Sequence, residues 1–151
     1  MATRMTANDA KVHDYIYKRL NLREVRALVK DNTGWDKKTL DDAEDWYRNY
    51  LWLAYRNRRS RQPVGIERHA DHFWHAHILD TEDYAKVCQK ILGRRGFLHH
   101  KPVARKAATS PRLQQQTTLA YAAVQHEFVK PRPHHGFAPF DMPCFWHIVF
   151  G

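Results

Sequence analysis

Cysteine is nearly absent: the 151-residue chain holds two, Cys88 and Cys144, far apart in sequence. Two cysteines cannot build the disulfide framework of a small secreted domain, so a reducing, cytoplasmic setting is the expectation. No Cys-x-x-Cys pair occurs, which excludes the usual structural zinc finger. Glycine is scarce, with six residues, and neither a G-x-G-x-x-G turn nor a Walker loop is present. A serine nucleophile elbow and His-Glu-x-x-His are missing too; His126-Glu127 lacks the second histidine at the required spacing. Apolar runs such as Ile148-Val149-Phe150 reach only a few residues, whereas a membrane helix needs about 20. The first residues carry Asp9, Asp14, Glu24 and Asp31 and no apolar stretch, so neither a secretory signal nor a transit peptide is expected. The last absence is of negative charge. No carboxylate lies between Tyr84 and His126. Residues 1–83 hold 15 basic against 14 acidic side chains, residues 84–151 hold 10 against 2, and the net charge is +9.

What remains is an ordinary globular balance, 43% apolar and 27% charged. The length suits one domain over residues 1–151, large enough to bury roughly 70% of its unfolded surface. Helical spacing dominates. Thr6 and Asp9 form a capping-box pattern ahead of Val12, Ile16 and Leu20. Asn21 and Glu24 repeat it ahead of Val25 and Val29, with Gly34 as a stop. Thr39 and Asp42 open the strongest pattern, Thr39–Asn57, whose stripe of Ala43, Trp46, Tyr47, Tyr50, Leu51 and Ala54 is expected at the centre of the core. Pro63 and Gly65 break the chain. Ile66–Leu79 reads as helix, and Thr81 starts another that turns Tyr84, Val87, Cys88, Ile91 and Leu92 inward and stops at Gly93. Ser110-Pro111 opens a last helix, with Leu119, Ala122, Ala123 and His126 expected inward. Strand signals are confined to Phe97–Leu98 and Phe145–Phe150. The expected fold is mainly α, a single compact domain of five or six helices with an irregular, proline- and aromatic-rich tail over residues 130–151.

Histidine is the other departure. Of eleven, four fall within Arg68–His77, and His99–His100 form an adjacent pair. Neutral imidazole is a common ligand for transition metals, and carboxylate partners suit iron or zinc. Asp71 and His75, four apart, share a helix face. His77 lies nearly opposite His75 on an ideal helix and joins it only if the helix ends or distorts near Ala76. The expected metal set is Asp71, His75, His77 and one of His99 or His100.

The run Asp71-His-Phe-Trp-His-Ala-His-Ile-Leu-Asp80, then Tyr84, Cys88 and Gly96-Phe-Leu-His-His100, resembles the core of the glycine-rich-domain-containing-protein-like family over about residues 66–102. The resemblance points to Asp71, Trp74, His75, His77, Asp80, Tyr84, Cys88 and His99 or His100. The glycine-rich tail that names that family has no counterpart here.

The acid-free stretch carries Arg94, Arg95, Lys101, Arg105, Lys106 and Arg112, a pattern that attracts phosphate or another anion. Two readings stand. One is a metal-binding helical protein, with iron or zinc, acting as a metal-dependent enzyme on an anionic substrate. The other is a nucleic-acid or polyanion-binding module in which the histidines are structural. No recognised sequence-reading motif accompanies the second. No membrane association is expected.

Overall fold

The computed structural model describes residues 4–60, 64–102, 111–130 and 144–150. Six α-helices are present among them: α1 (Ala7–Asp14), α2 (Arg23–Thr33), α3 (Lys37–Arg56), α4 (Arg68–Leu79), α5 (Thr81–Leu92) and α6 (Pro111–Val124). Strand β1 (Gly96–Pro102) pairs antiparallel with β2 (Cys144–Phe150), Gly96 opposite Phe150 and Pro102 opposite Cys144. The fold is mainly α, and β2 is the regular piece of the tail, where the chain carries a strand signal. Residues 131–143 lie outside the described set.

The capping box forms as the spacing predicts: the Thr6 hydroxyl accepts from Asp9 N at 3.1 Å and the Asp9 carboxylate accepts from Thr6 N at 2.8 Å. Helix α1 then runs into a π turn, Tyr15–Arg19, in which Leu20 N donates to Tyr15 O at 2.8 Å. That five-residue bond takes the donor that an α-helix would offer to the Ile16 carbonyl. The Arg48 guanidinium of α3 donates to Ile16 O instead. Other starts differ from expectation by a few residues. Asn21 makes a local turn, accepting from Arg23 N at 3.0 Å, and does not form a capping box. Helix α3 begins under Asp36, whose carboxylate accepts from Thr39 N at 2.8 Å, and Asp42 is buried. Gly34 ends α2 in the left-handed region at φ +69°, where a Cβ is disfavoured.

Helix α3 is the axis of the core. Every residue from Asn49 to Tyr55 is buried, which a surface helix with one apolar stripe never shows. The expected stripe from Ala43 to Ala54 is buried with it. Helix α4 packs across α3 through Ala70, Phe73, Trp74 and His77, and α5 packs on both, with Tyr84 against Trp74 and His77 and with Val87, Cys88, Ile91 and Leu92 near Leu51 and Ala54. Helix α6 presents a different face from the expected one. Leu113, Thr117, Tyr121 and Val124 are buried, while Leu119 is 62% exposed and His126 is exposed. The inward Thr117 has a specific job: its hydroxyl accepts from the buried Gly65 N at 2.9 Å.

Arg56, Asp9 and Glu127 join the two ends of this helical body. The Arg56 guanidinium lies 3.0 Å from Asp9 and 3.0 Å from Glu127, and all three side chains are nearly buried. Trp52 Nε1 donates to Glu127 at 3.1 Å and the Tyr55 hydroxyl donates to Asp9 at 2.7 Å.

Candidate metal centre

The Glu67 carboxylate caps α4, accepting from Ala70 N at 3.0 Å and from His69 Nδ1 at 2.7 Å. From that start the helix runs unbroken to Leu79, so Asp71 and His75 share one face and His77 is carried to the other. Asp71 is 3% exposed. One of its oxygens lies 3.4 Å from His75 Nδ1, and the other accepts from His100 Nε2 of β1 at 3.2 Å. The His75 and His100 rings approach to 4.3 Å between centroids, and Trp74 meets His100 edge to face at 4.4 Å. Asp71, His75 and His100 each offer one ligand atom, and the three atoms lie within 4.8 Å of one another. They form the one such group of three metal-ligating side chains among the described residues. His75 is exposed, so the cluster opens to solvent on one side.

Burial pushes the His75 imidazole below its ordinary range; the Asp71 carboxylate opposes the shift and His100 adds to it. His72, exposed on the same flank, is lowered by desolvation as well, with Asp71 again opposing.

His77 stands apart from this cluster. It is fully buried, and both ring nitrogens are engaged. Nε2 lies 2.9 Å from the Asp83 carboxylate and Nδ1 lies 2.6 Å from the Tyr47 hydroxyl. A neutral ring satisfies both at once, donating from Nε2 and accepting at Nδ1. Burial lowers its pKa, against the pull of Asp83. The contacts tie α3, α4 and α5 together, so His77 is a linchpin of packing and its nitrogens do not face the Asp71 pair. His99 is exposed and its ring packs on Phe97 at 4.7 Å. Asp80 caps α5, accepting from Asp83 N at 3.2 Å. Cys88 is buried with its thiol pushed up by desolvation, which suits packing rather than ligation.

Of the basic residues, Arg94 and Arg95 are exposed in the turn between α5 and β1, and Arg112 is exposed in the first turn of α6. Lys101 lies on β1, with its backbone opposite Phe145. Arg105 and Lys106 fall outside the described residues. Two residues that spacing did not single out frame the histidine face. Glu67 orients His69, and Trp35, from the loop before α3, touches the His69 and His72 rings at 5.1 and 4.8 Å. The pairing of Glu67 with His69 follows from the capping position; the approach of Trp35 has no local signal.

The chain belongs to the UCP032817-like family, whose model matches residues 8–134 and so takes in Asp71, His75 and His100. No curated protein and no solved structure matches it. No helix among the described residues is long and apolar enough to cross a membrane.

Proposed function

We propose that this protein binds a metal ion, iron or zinc, through Asp71, His75 and His100, and uses it on an anionic substrate. The observation that carries the reading is a buried carboxylate set between two imidazoles, one from α4 and one from β1, with one side open to solvent. A carboxylate buried between two imidazoles offers a cation one anionic and two neutral donors. A cation in place of the proton between Asp71 and His100 satisfies all three groups. Metal–ligand bonds of about 2.1 Å put tetrahedral ligand atoms about 3.4 Å apart; one atom from each of the three groups lies within 4.8 Å of the others, so the rings need only close in by a short distance to share one ion. Three ligands on one side leave coordination positions for a further molecule, the arrangement of two-histidine, one-carboxylate iron sites and of catalytic zinc.

Charge supports an anionic substrate. Two neutral imidazoles and one carboxylate leave a divalent ion with a net positive charge facing the opening. Such an ion polarises a bound oxygen or activates water. Among the residues picked out by the glycine-rich-domain-like motif, Trp74, His77 and Tyr84 are held within the packing and Asp80 caps a helix, whereas the ring of His75 is exposed beside Asp71. That division supports His75 as the working residue of the motif. A reducing cytoplasm fits both a ferrous site and the free Cys88 thiol.

The test is metal content. Untagged protein prepared anaerobically is expected to hold one iron or zinc per chain, and His75→Ala and Asp71→Asn to lose it while keeping the helical circular dichroism of the parent. Wild-type protein that neither retains metal nor takes up stoichiometric Zn²⁺ or Fe²⁺ in calorimetric titration would overturn the reading.

A further inference from the structure

Of the three clustered ligands, Asp71 and His75 are fixed relative to each other by one turn of α4. His100 comes from another element, and its place depends on how β1 docks against α4 and α5. Two adjacent histidines compete for that place. Side chains alternate along a strand, so His100 faces Asp71 only while β1 keeps its present register; a slip of one residue would offer His99 at the same position. A hydroxyl group of α5 takes part in this docking, beside the Cys88 thiol, which also meets the Leu98 backbone. Tyr84 of α5 is 2% exposed. Its Oη donates to the carbonyl oxygen of Leu98, two residues before His100, and accepts from Trp74 Nε1 of α4 at 2.9 Å. Trp74 is fully buried and meets the His100 ring. The Tyr84 ring also packs edge to face on Phe97 at 5.4 Å, so oxygen and ring together grip consecutive residues of the strand.

We propose that Tyr84 is a positioning residue of the metal site, pinning the register of β1 so that His100, and not His99, faces Asp71. Its consequence for metal affinity rests on the metal reading above; its consequence for the His100 ring does not. Groups that orient ligands without touching the ion change affinity by about 10–100-fold when removed. A phenylalanine at position 84 keeps the ring and its packing, removes the oxygen, and leaves the Trp74 indole and the Leu98 carbonyl to find other partners.

The experiment uses the full chain as wild type, Tyr84→Phe, His99→Ala and the double variant, with two readouts. One is Co²⁺ affinity and the visible ligand-field spectrum of the bound ion. The other is the long-range ¹⁵N–¹H spectrum of the histidine rings in metal-free protein, with circular dichroism as the check on folding. Tyr84→Phe is expected to weaken Co²⁺ about tenfold or more, to alter the ligand-field spectrum, and to move the His100 ring signals toward those of a solvent histidine. His99→Ala is expected to leave Co²⁺ affinity unchanged in the wild-type background and to lower it in Tyr84→Phe. Wild-type His100 signals and wild-type affinity in Tyr84→Phe would overturn the proposal. If wild type takes up no Co²⁺ yet Tyr84→Phe still moves the His100 ring, the metal reading fails and the positioning role stands. Should Tyr84→Phe not fold, Trp74→Phe, which removes the indole donor to the Tyr84 hydroxyl, is read in the same assays; unchanged His100 signals there would refute the positioning role.

Discussion

A guanidinium held between two nearly buried carboxylates is the most charged point of the interior. Removing one partner of such a buried set commonly costs about 3–5 kcal/mol, because the remaining charges are stranded. Asp9 shows how the set depends on pH. Burial alone would raise its pKa, but the N–H and hydroxyl of Thr6, the Tyr55 hydroxyl and the Arg56 charge outweigh that and hold it below the ordinary value of 3.8. A carboxyl whose folded pKa is depressed contributes stability above its unfolded pKa and loses it as pH falls through the folded value. Wild-type protein is therefore expected to lose stability steeply below about pH 3.8, and Asp9→Asn to start lower at neutral pH and fall less over the same acid range. Urea midpoints measured from pH 5 to pH 2 check this; parallel curves for the two proteins would contradict it. No local pattern announces this set. Arg56 reaches Asp9 across 47 positions and Glu127 across 71.

At the scale of elements, periodicity made the interior legible and left the ends loose. The buried faces of α2, α3 and α5 are those that apolar spacing marks, because burial of large side chains dominates a helix of ordinary length. The start of α3 moved because Asp36 and Thr39 are both good caps and only packing decides between them. The face of α6 turned because a hydroxyl was needed for Gly65, and a rule that counts apolar residues ranks Thr117 below Leu119. The junction of α5 with β1 is tighter than either element suggests. A Cβ placed on Gly96 would collide with the Leu92 side chain and sit 2.7 Å from the Leu92 carbonyl oxygen. Gly96→Ala is expected to push β1 off α5, costing about 1–3 kcal/mol in chemical denaturation and weakening Zn²⁺ uptake through His100. Unchanged stability would show that the strand yields freely.

For the whole molecule, the histidine signal and the basic signal translate into structure on different terms. The Asp71–His75 pair was legible from four-residue spacing, and a partner from His99–His100 from its nearness in the chain. The choice of His100 needed the strand register. Spacing set His77 opposite His75 on an unbroken helix, but the groups that engage its nitrogens, Tyr47 lying 30 positions earlier and the first-turn Asp83 of the next helix, carry no local signal. Arg94 and Arg95 are exposed in the turn before β1, and Arg112 is exposed in the first turn of α6. A short single-stranded oligonucleotide is expected to bind weakly, to dissociate between about 50 and 200 mM salt, and to ignore His75→Ala. Binding that stays tight at the higher salt would make a polyanion the main ligand and the histidine cluster secondary.

The π turn between Tyr15 and Arg19 behaves like one residue too many in a continuous helix. Each residue of an α-helix advances the chain by about 100° of rotation. Deleting one residue there would restore α-helical winding with nearly the same overall rotation, because the five residues of the wider turn cover about the angle of four α-helical ones. Asp9 would keep the face turned toward Tyr55 and Arg56, but the Ile16 carbonyl would return to its own helix, releasing Arg48. The five-residue turn thus acts as an outlet: it lends one carbonyl of the first helix to the third, and a frame-preserving codon loss at this point would be felt first at Arg48.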